Sequence, residues 1–155
     1  MIEYVFAPEV QRYNITIHPD ARIEHAVFVT AYPWGAYRMS TQVGLHGLPL
    51  LEAVALQIGR IVLGHDFQRS GYKAEKRNRK EWRQAEAWAA CRLVPDRAMR
   101  LARRLGQDPR DIARDLGLSE RFVIVRYNLW HYRRGQLLEL PPPFADRQVA
   151  WASDP

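Results

Sequence analysis

One apolar helix in the middle of the chain constrains the fold more than any other stretch of the sequence. Between Pro49 and His65, apolar side chains recur at the spacing of a single buried helix face: Leu51, Val54, Ala55, Ile58, Ile61 and Val62. Pro49 suits the first helical turn, where the N–H that proline lacks is not needed, and Gly64 is typical of a helix end. We therefore expect the domain to be organised around this helix.

A second apolar helix is predicted from Glu81 to Pro95, with the sequence EWRQAEAWAACRLVP. The two helices, the first ending in Gly64-His65, resemble the paired helices of the ImmA/IrrE family of zinc metallopeptidases. In that family the first helix carries an HExxH motif that usually continues towards LLLGH, and the second helix supplies a further glutamate as the third metal ligand. The resemblance implies that Glu86 keeps this third-ligand position.

The chain departs from the family at the residues that carry its chemistry. Aligned on Gly64-His65, the two ligand histidines are replaced by Leu56 and Arg60, and the general-base glutamate is replaced by Gln57. Catalytic zinc needs three protein ligands and an open position for water, and the base needs a carboxylate. The resemblance therefore implies a pseudo-peptidase, and we predict no metal, no cofactor and no proteolysis.

Arg60 is predicted to replace the missing cation. Leu56 and Arg60 lie one helical turn apart and share the helix face that would carry both histidines. A buried carboxylate left without its metal is costly or becomes protonated. We therefore predict that Arg60 pairs with Glu86, while Leu56 fills the volume of the first histidine.

The chain as a whole is predicted to be an α+β protein. A small antiparallel N-terminal sheet packs on a helical metallopeptidase-like core, and a helix-turn-helix-like helical end follows. The strands are expected at 13–17, 26–31 and 36–41. The last two form a hairpin. The predicted boundaries are 1–140 for a single domain, 26–95 for its pseudo-peptidase core, 96–134 for its helical end and 141–155 for a Pro-rich tail.

Residues 110–130 have the pattern of a helix-turn-helix unit. A short helix with Ile112 and Ala113 is followed by a turn at Gly117, a helix cap at Ser119 and a second helix. A helix that reads the major groove presents polar side chains, whereas this one would expose three large apolar residues, Phe122, Ile124 and Val125. We interpret the unit first as a packing or protein-recognition element and second as a DNA reader.

Positive charge is concentrated in the middle of the chain. The net charge is +6, and residues 66–134 hold 18 Lys and Arg against nine Asp and Glu. The segment 66–80 is polar and basic, and we expect a loop there. Candidate contacts to nucleic acid or to a protein partner are Arg69, Lys73, Lys76, Arg77, Arg79, Lys80, Arg121 and Arg126. Any binding of nucleic acid is expected to be weak and electrostatic.

Three functions remain open from the sequence. The first is a catalytically inactive regulatory protein that binds a protein partner. The resemblance implies that this partner is a helix-turn-helix repressor of a mobile element or stress response, because active family members are linked to the cleavage of such repressors. The alternative is a DNA-binding transcriptional regulator that uses residues 110–130 and the basic loop 66–83. The third is a hydrolase with a displaced metal site built from Glu52, Glu86, His46 or His65.

The location of the protein is predicted from two features that the sequence lacks. The segment MIEYVFAPEVQRY has neither the basic start nor the apolar run of a secretory signal. No stretch reaches the roughly 18 apolar residues that a membrane span requires. We therefore expect a cytoplasmic protein without a membrane partner, and the sequence leaves its oligomeric state open.

Overall fold

In the computed structural model, two short helices and a three-stranded sheet precede five further helices. The structure describes residues 2–23, 26–67 and 72–131, apart from the side chains of residues 3 and 72–78. The N-terminal elements are α1 (Ile2–Val5), α2 (Ala7–Arg12), β1 (Ile15–Asp20), β2 (Val27–Ala31) and β3 (Tyr37–Gln42). The later elements are α3 (Gly47–Val62), α4 (Tyr72–Leu93), α5 (Asp96–Leu105), α6 (Pro109–Leu116) and α7 (Glu120–His131). Within the described ranges, no helix is long and apolar enough to cross a membrane.

The sheet has the strand order β1-β3-β2. Strands β2 and β3 form the predicted antiparallel hairpin, with Val29 opposite Met39, whereas β1 runs parallel to β3, with Ile17 opposite Met39. The predicted α+β class is confirmed, and the sheet is mixed rather than purely antiparallel. The apolar alternation that predicts a strand is the same in both directions, so it contains no information on the direction of β1.

Helices α3 and α4 cross at short range beneath the sheet. The apolar side chains buried at the crossing include Val54, Ala55, Ile58, Ala85 and Ala89. At Gly59, a Cβ atom would lie only 2.9 Å from the carbonyl oxygen of Ala85, so a larger residue would push the two backbones apart. The helix that the sequence predicts as the organising element therefore lies at the centre of the main apolar core.

Helix α7 connects the helical end to this core. Phe122 and Val125 lie in the main apolar core together with residues of the sheet and α3. Val123 lies in a second apolar cluster, which also contains Met99 of α5 and Ile112 of α6. Because one helix contributes side chains to both clusters, the helical end packs as part of the same fold.

The predicted helix-turn-helix pattern folds as α6, a short turn and α7. The Asp108 carboxylate caps α6 by accepting hydrogen bonds from the backbone N–H groups of Arg110 and Asp111, at 2.8 and 2.9 Å. Gly117 ends α6 with a φ of 63°, a left-handed conformation that glycine adopts readily. The local signals in the sequence therefore predict these boundaries well.

The prediction of a basic loop over 66–80 is wrong from Tyr72 onward, where α4 begins. Lys, Arg, Glu and Ala are all good helix formers, so a polar and basic composition is compatible with a solvated helix as well as with a loop. The side chains of Lys73, Lys76 and Arg77 lie outside the described residues, as do Arg69 and the Pro-rich tail.

Candidate functional site

The positions that the resemblance aligns with HExxH lie in the second half of α3. Two of them, Gln57 and Arg60, form a group with Asp66 and Phe67 that we call the Arg60 cluster. The Arg60 guanidinium donates hydrogen bonds to the side-chain oxygen of Gln57 at 3.2 Å and to the backbone carbonyl of Asp66 at 3.4 Å. Its central carbon lies 4.2 Å from the centre of the Phe67 ring. The guanidinium is therefore held by an amide, a carbonyl and an aromatic face.

The Arg60 cluster is only partly open to water. Burial lowers the pKa of Arg60 from its ordinary value, while the negative charges of Glu81 and Asp66 act in the opposite direction. An arginine still remains charged at neutral pH. The Phe67 ring also packs edge-on against Tyr37, with ring centres 6.3 Å apart, which ties the cluster to the sheet. The position that the resemblance aligns with the second histidine ligand thus holds a fixed cation.

The residues at the motif positions do not fit a zinc ion. Leu56 packs against the main core as a hydrocarbon, Gln57 is an amide, and Arg60 is a cation that would repel the metal. The displaced metal site of the third hypothesis is not assembled either, since no group of three or more His, Cys, Asp or Glu in the described residues could hold a metal ion. His46 instead bonds the carbonyl of Gly44 through its ring nitrogen, at 2.7 Å.

Glu86 has a different partner from the one that we predicted. Its side chain is almost completely buried and binds the Arg121 guanidinium of α7 through both carboxylate oxygens, one of these contacts measuring 2.9 Å. The predicted pair of Arg60 and Glu86 is therefore wrong. A planar guanidinium can donate two parallel hydrogen bonds to one carboxylate, and the packing of α7 on α4 places the Arg121 guanidinium directly at Glu86. The resemblance to the peptidase family concerns α3 and α4 alone, so it contains no information on a partner from α7.

A second buried carboxylate lies beside this pair. Glu52 of α3 accepts a hydrogen bond from the backbone N–H of Ser119 at 2.7 Å, directly before α7 begins. Burial raises the pKa of Glu52, and the nearby charge of Glu86 acts in the same direction. We call Glu52, Glu86, Ser119 and Arg121 the carboxylate junction. The N-terminal end of α7 favours negative charge through its backbone dipoles, which helps to hold Glu52 there.

Both arginines that we predicted as contacts from α7 are used inside the protein. Arg121 neutralises Glu86, and Arg126 is buried, with its guanidinium bonded to the carbonyl of Val94 at 3.0 Å and to the carboxylate of Asp96. Arg126 also lies over the ring of Trp130. Neither side chain is available to an external ligand, so these two predicted contacts are wrong.

The apolar side of α7 is also enclosed. Phe122, Ile124 and Val125 are 3%, 6% and 8% exposed, which leaves none of them to face a DNA groove. The interpretation of this helix as a packing element is confirmed, and its use as a major-groove reader is contradicted by its burial. By contrast, Arg79 and Lys80 of α4 are exposed, as predicted for contact residues.

Sequence reasoning overlooked the arginines of α5. Arg97, Arg100, Arg103 and Arg104 are all exposed on this helix. The signal was present in the segment DRAMRLARRLG, where Arg97, Arg100 and Arg104 recur at a spacing of three to four residues on the side of the helix away from the buried Met99 and Ala102.

Comparison with known proteins bears on the fold. No family model matches the chain, and no curated protein matches it. A solved structure of a Mycobacterium tuberculosis transcriptional regulator has a similar fold, with a TM-score of 0.55 and 20% sequence identity. The similarity covers 82% of this chain and 40% of that chain, so this chain spans less than half of the neighbour's length. At this identity the comparison shows a shared fold alone.

Proposed function

We propose that this chain is a catalytically silent relative of the ImmA/IrrE metallopeptidases that acts in regulation by binding a protein partner. The observation that supports this proposal is the Arg60 cluster, in which a guanidinium is fixed at the position that the resemblance aligns with a zinc ligand. A cation at this position opposes metal binding, and Gln57 has no carboxylate with which to activate water. The helices that would hold the metal remain closely packed although their chemistry is absent.

The partner class follows from the resemblance and from the fold. Active members of the family are linked to helix-turn-helix repressors, and a silent relative retains the scaffold that would recognise one. The structural neighbour is itself named a transcriptional regulator, which supports a role in regulation. The partner that we propose is therefore a helix-turn-helix repressor, which this chain would bind without cutting.

The first experiment rebuilds the motif. Zinc content after dialysis is measured for the natural protein and for the triple variant Leu56→His/Gln57→Glu/Arg60→His. We expect no retained zinc in the natural protein and stoichiometric zinc in the triple variant. Adding Arg121→Gln to the triple variant releases Glu86 from its ion pair and should tighten zinc binding.

The controls for this experiment are the single variants Leu56→His and Arg60→His, which provide too few ligands and should retain no zinc. Thermal unfolding confirms that each variant is folded. Zinc bound stoichiometrically by the natural protein would contradict the proposal. So would the absence of zinc from both the triple and the quadruple variants, because the aligned face would then not be a former ligand face.

The second experiment tests the partner. The purified protein is mixed with helix-turn-helix repressors from the same genome, and complexes are separated by size-exclusion chromatography. We expect one repressor to co-elute and to remain intact after prolonged incubation, with or without added zinc. Cleavage of the repressor would contradict a silent role, and failure of every repressor to co-elute would contradict this partner class.

The alternative of a DNA-binding regulator loses its proposed reading helix, since the relevant face of α7 is buried. The exposed Arg79 and Lys80 still give α4 a basic surface, although these two residues alone support only weak, salt-sensitive binding. The alternative therefore has less support than the protein-binding function.

A further inference from the structure

Helix α5 presents a row of arginines to solvent. Arg97, Arg100, Arg103 and Arg104 are exposed, and among residues 2–23, 26–67 and 72–131 none of the four forms an ion pair. The opposite side of the helix is anchored in the second apolar cluster through Met99. The row is thus a surface of fixed orientation on a folded element.

The neighbouring arginines differ, because carboxylates neutralise them. On α6, Arg110 pairs with Glu120 at 3.1 Å and Arg114 pairs with Asp111 at 2.5 Å. The one acidic residue of α5, Asp96, binds the buried Arg126 of α7, although it stands one turn before Arg100 and could have paired with it. Positive charge is therefore left unbalanced on α5, whereas carboxylates of α6 and α7 balance the two arginines of α6.

Stability of the helix does not account for this arrangement. Arg103 and Arg104 lie in the last turn, where positive charge is favourable, but Arg97 lies in the first turn, where the helix dipole disfavours it. Arg100 has like charges three or four residues away in both directions, at Arg97, Arg103 and Arg104, and such pairs repel each other. The row thus opposes the stability of the free protein, and a polyanion lying along it would relieve the repulsion.

We propose that the arginine row of α5 binds the phosphate backbone of double-stranded nucleic acid without reading its sequence. From Arg97 to Arg104 the helix rises about 10 Å, and duplex DNA carries about six negative charges over that length. Guanidinium groups bind phosphate through two parallel hydrogen bonds. The inference is independent of the proposed protein partner, because it concerns a different surface and a different ligand.

The occupant is a nucleic acid rather than a lipid surface because the row offers little apolar area. Leu101 and Leu105 are the exposed apolar residues beside it, at 55% and 63% exposure. A helix that lies in a membrane interface carries a whole apolar face, whereas the apolar face of α5 is already buried in the protein through Met99 and Ala102. Four arginines in a row instead match a linear polyanion.

The test measures fluorescence anisotropy of a labelled DNA duplex of arbitrary sequence at 50 and 200 mM salt. Four phosphate contacts predict an affinity that falls about 100-fold between these salt concentrations. In the variant Arg97→Gln/Arg100→Gln/Arg104→Gln, we expect weaker binding at 50 mM and a log–log salt slope that is smaller by about 3. Changing the duplex sequence should leave all values unchanged.

The matched control removes the same amount of charge from arginines that have carboxylate partners. Arg22, Arg110 and Arg114 have side chains that are 83%, 79% and 73% exposed, and each forms an ion pair with an aspartate or glutamate. The variant Arg22→Gln/Arg110→Gln/Arg114→Gln should keep a salt slope close to that of the natural protein. All six positions are exposed, so both triple variants should remain folded, which thermal unfolding checks.

Three results would overturn the proposal. The first is the absence of duplex binding at 50 mM salt. The second is an equal loss of binding in both triple variants, which would show a dependence on net charge rather than on the α5 row. The third is binding to vesicles of phosphatidylglycerol and phosphatidylcholine in place of the duplex, with Leu101→Ser/Leu105→Ser abolishing it. Repressor co-elution by the α5 variant is measured separately, so failure here leaves the proposed protein partner untouched.

Discussion

The Arg60 cluster and the carboxylate junction both begin on α3, yet they compensate buried charge in opposite ways. In the Arg60 cluster a cation is held by an amide, a backbone carbonyl and an aromatic ring at the end of the helix. In the carboxylate junction the Arg121 guanidinium donates to the buried carboxylate of Glu86, and the backbone N–H of Ser119 donates to the buried carboxylate of Glu52. The first arrangement combines these neutral contacts with the nearby charges of Glu81 and Asp66, whereas the second contains a direct ion pair through both oxygens of Glu86.

The difference shows which groups neutralise Glu86 and which hold Arg60, the two residues that the resemblance predicts to pair. We expected a local exchange, with the arginine at the ligand position neutralising the old ligand carboxylate. Instead, Arg121 of the helical end neutralises Glu86, and Arg60 is stabilised by its own segment. A buried charge pair is costly to break from one side, so this arrangement binds α7 to α4. The predictions below test that difference, from the largest expected effect to the smallest.

The largest effect is expected for Arg121→Ala. This change leaves the Glu86 carboxylate buried beside Glu52 without its cation, and it should destabilise the fold by about 3–5 kcal/mol, measured by urea denaturation. The double variant Arg121→Ala/Glu86→Ala removes the stranded charge and should recover part of this loss.

The matched control for Arg121 is Arg110→Ala, which breaks an exposed ion pair. The side chains of Arg110 and Glu120 are 79% and 41% exposed, so this change should cost less than about 1 kcal/mol. Equal losses for the two variants would show that the carboxylate junction contributes no more than a surface pair.

The next effect concerns the close contact of α3 and α4 at Gly59, directly beside Arg60. Gly59→Ala places a methyl group 2.9 Å from the Ala85 carbonyl oxygen, which forces the helices apart between the two clusters. The overpacking should cost about 1–3 kcal/mol, although alanine favours a helix more than glycine does. Thermal unfolding measures the change, and an unchanged or raised Tm would show that the crossing is less tight than described.

A smaller effect is expected for Arg60→Ala, because Arg60 is partly open to water and the two oxygens that accept its hydrogen bonds, on the Gln57 amide and the Asp66 backbone, are uncharged. The loss of two hydrogen bonds and the ring contact should cost about 1–2 kcal/mol. A double-mutant cycle of Arg60→Ala with Glu86→Ala should give a coupling energy near zero, whereas the cycle of Arg121 with Glu86 should give a large one. A strong coupling between Arg60 and Glu86 would restore the pair that the structure excludes.

The smallest effect is expected for Glu52→Gln, and it appears mainly in how the free energy of unfolding depends on pH. Burial raises the pKa of Glu52 in the folded protein above its ordinary value of 4.5, so the folded state holds this proton more tightly than the unfolded state. The contribution of Glu52 to stability is therefore present below pH 4.5 and is lost as the pH rises through the folded pKa.

Glutamine is neutral and still accepts the hydrogen bond of the Ser119 N–H. The stability of the variant should therefore no longer fall as the pH rises, and the variant should not be destabilised at pH 7. Urea denaturation between about pH 4.5 and 7 measures the slope. Glu120→Gln, which changes an exposed carboxylate, is the control and should keep the natural slope. If the free energy of unfolding of Glu52→Gln still falls as the pH rises, the pH dependence belongs to another group.

The sequence by itself determined those elements of the fold that depend on local signals. The apolar period of α3, the aspartate cap of α6 and the glycine turn before α7 are each encoded within a few neighbouring residues, and all three are present in the structure. The hairpin of β2 and β3 is local in the same sense. Even the burial of α7 could be inferred, because an exposed helix with Phe122, Ile124 and Val125 would be unstable in water.

Only the tertiary structure decided which charges meet. Glu86 and Arg121 are 35 residues apart, and Glu52 and Ser119 are 67 apart, so no local pattern predicts either contact. The parallel pairing of β1 with β3 is long-range in the same way. Helix periodicity places a side chain on a face, but the partner on that face depends on how distant elements pack. For this reason Arg121 is buried against Glu86, while the arginines of α5 remain open to solvent.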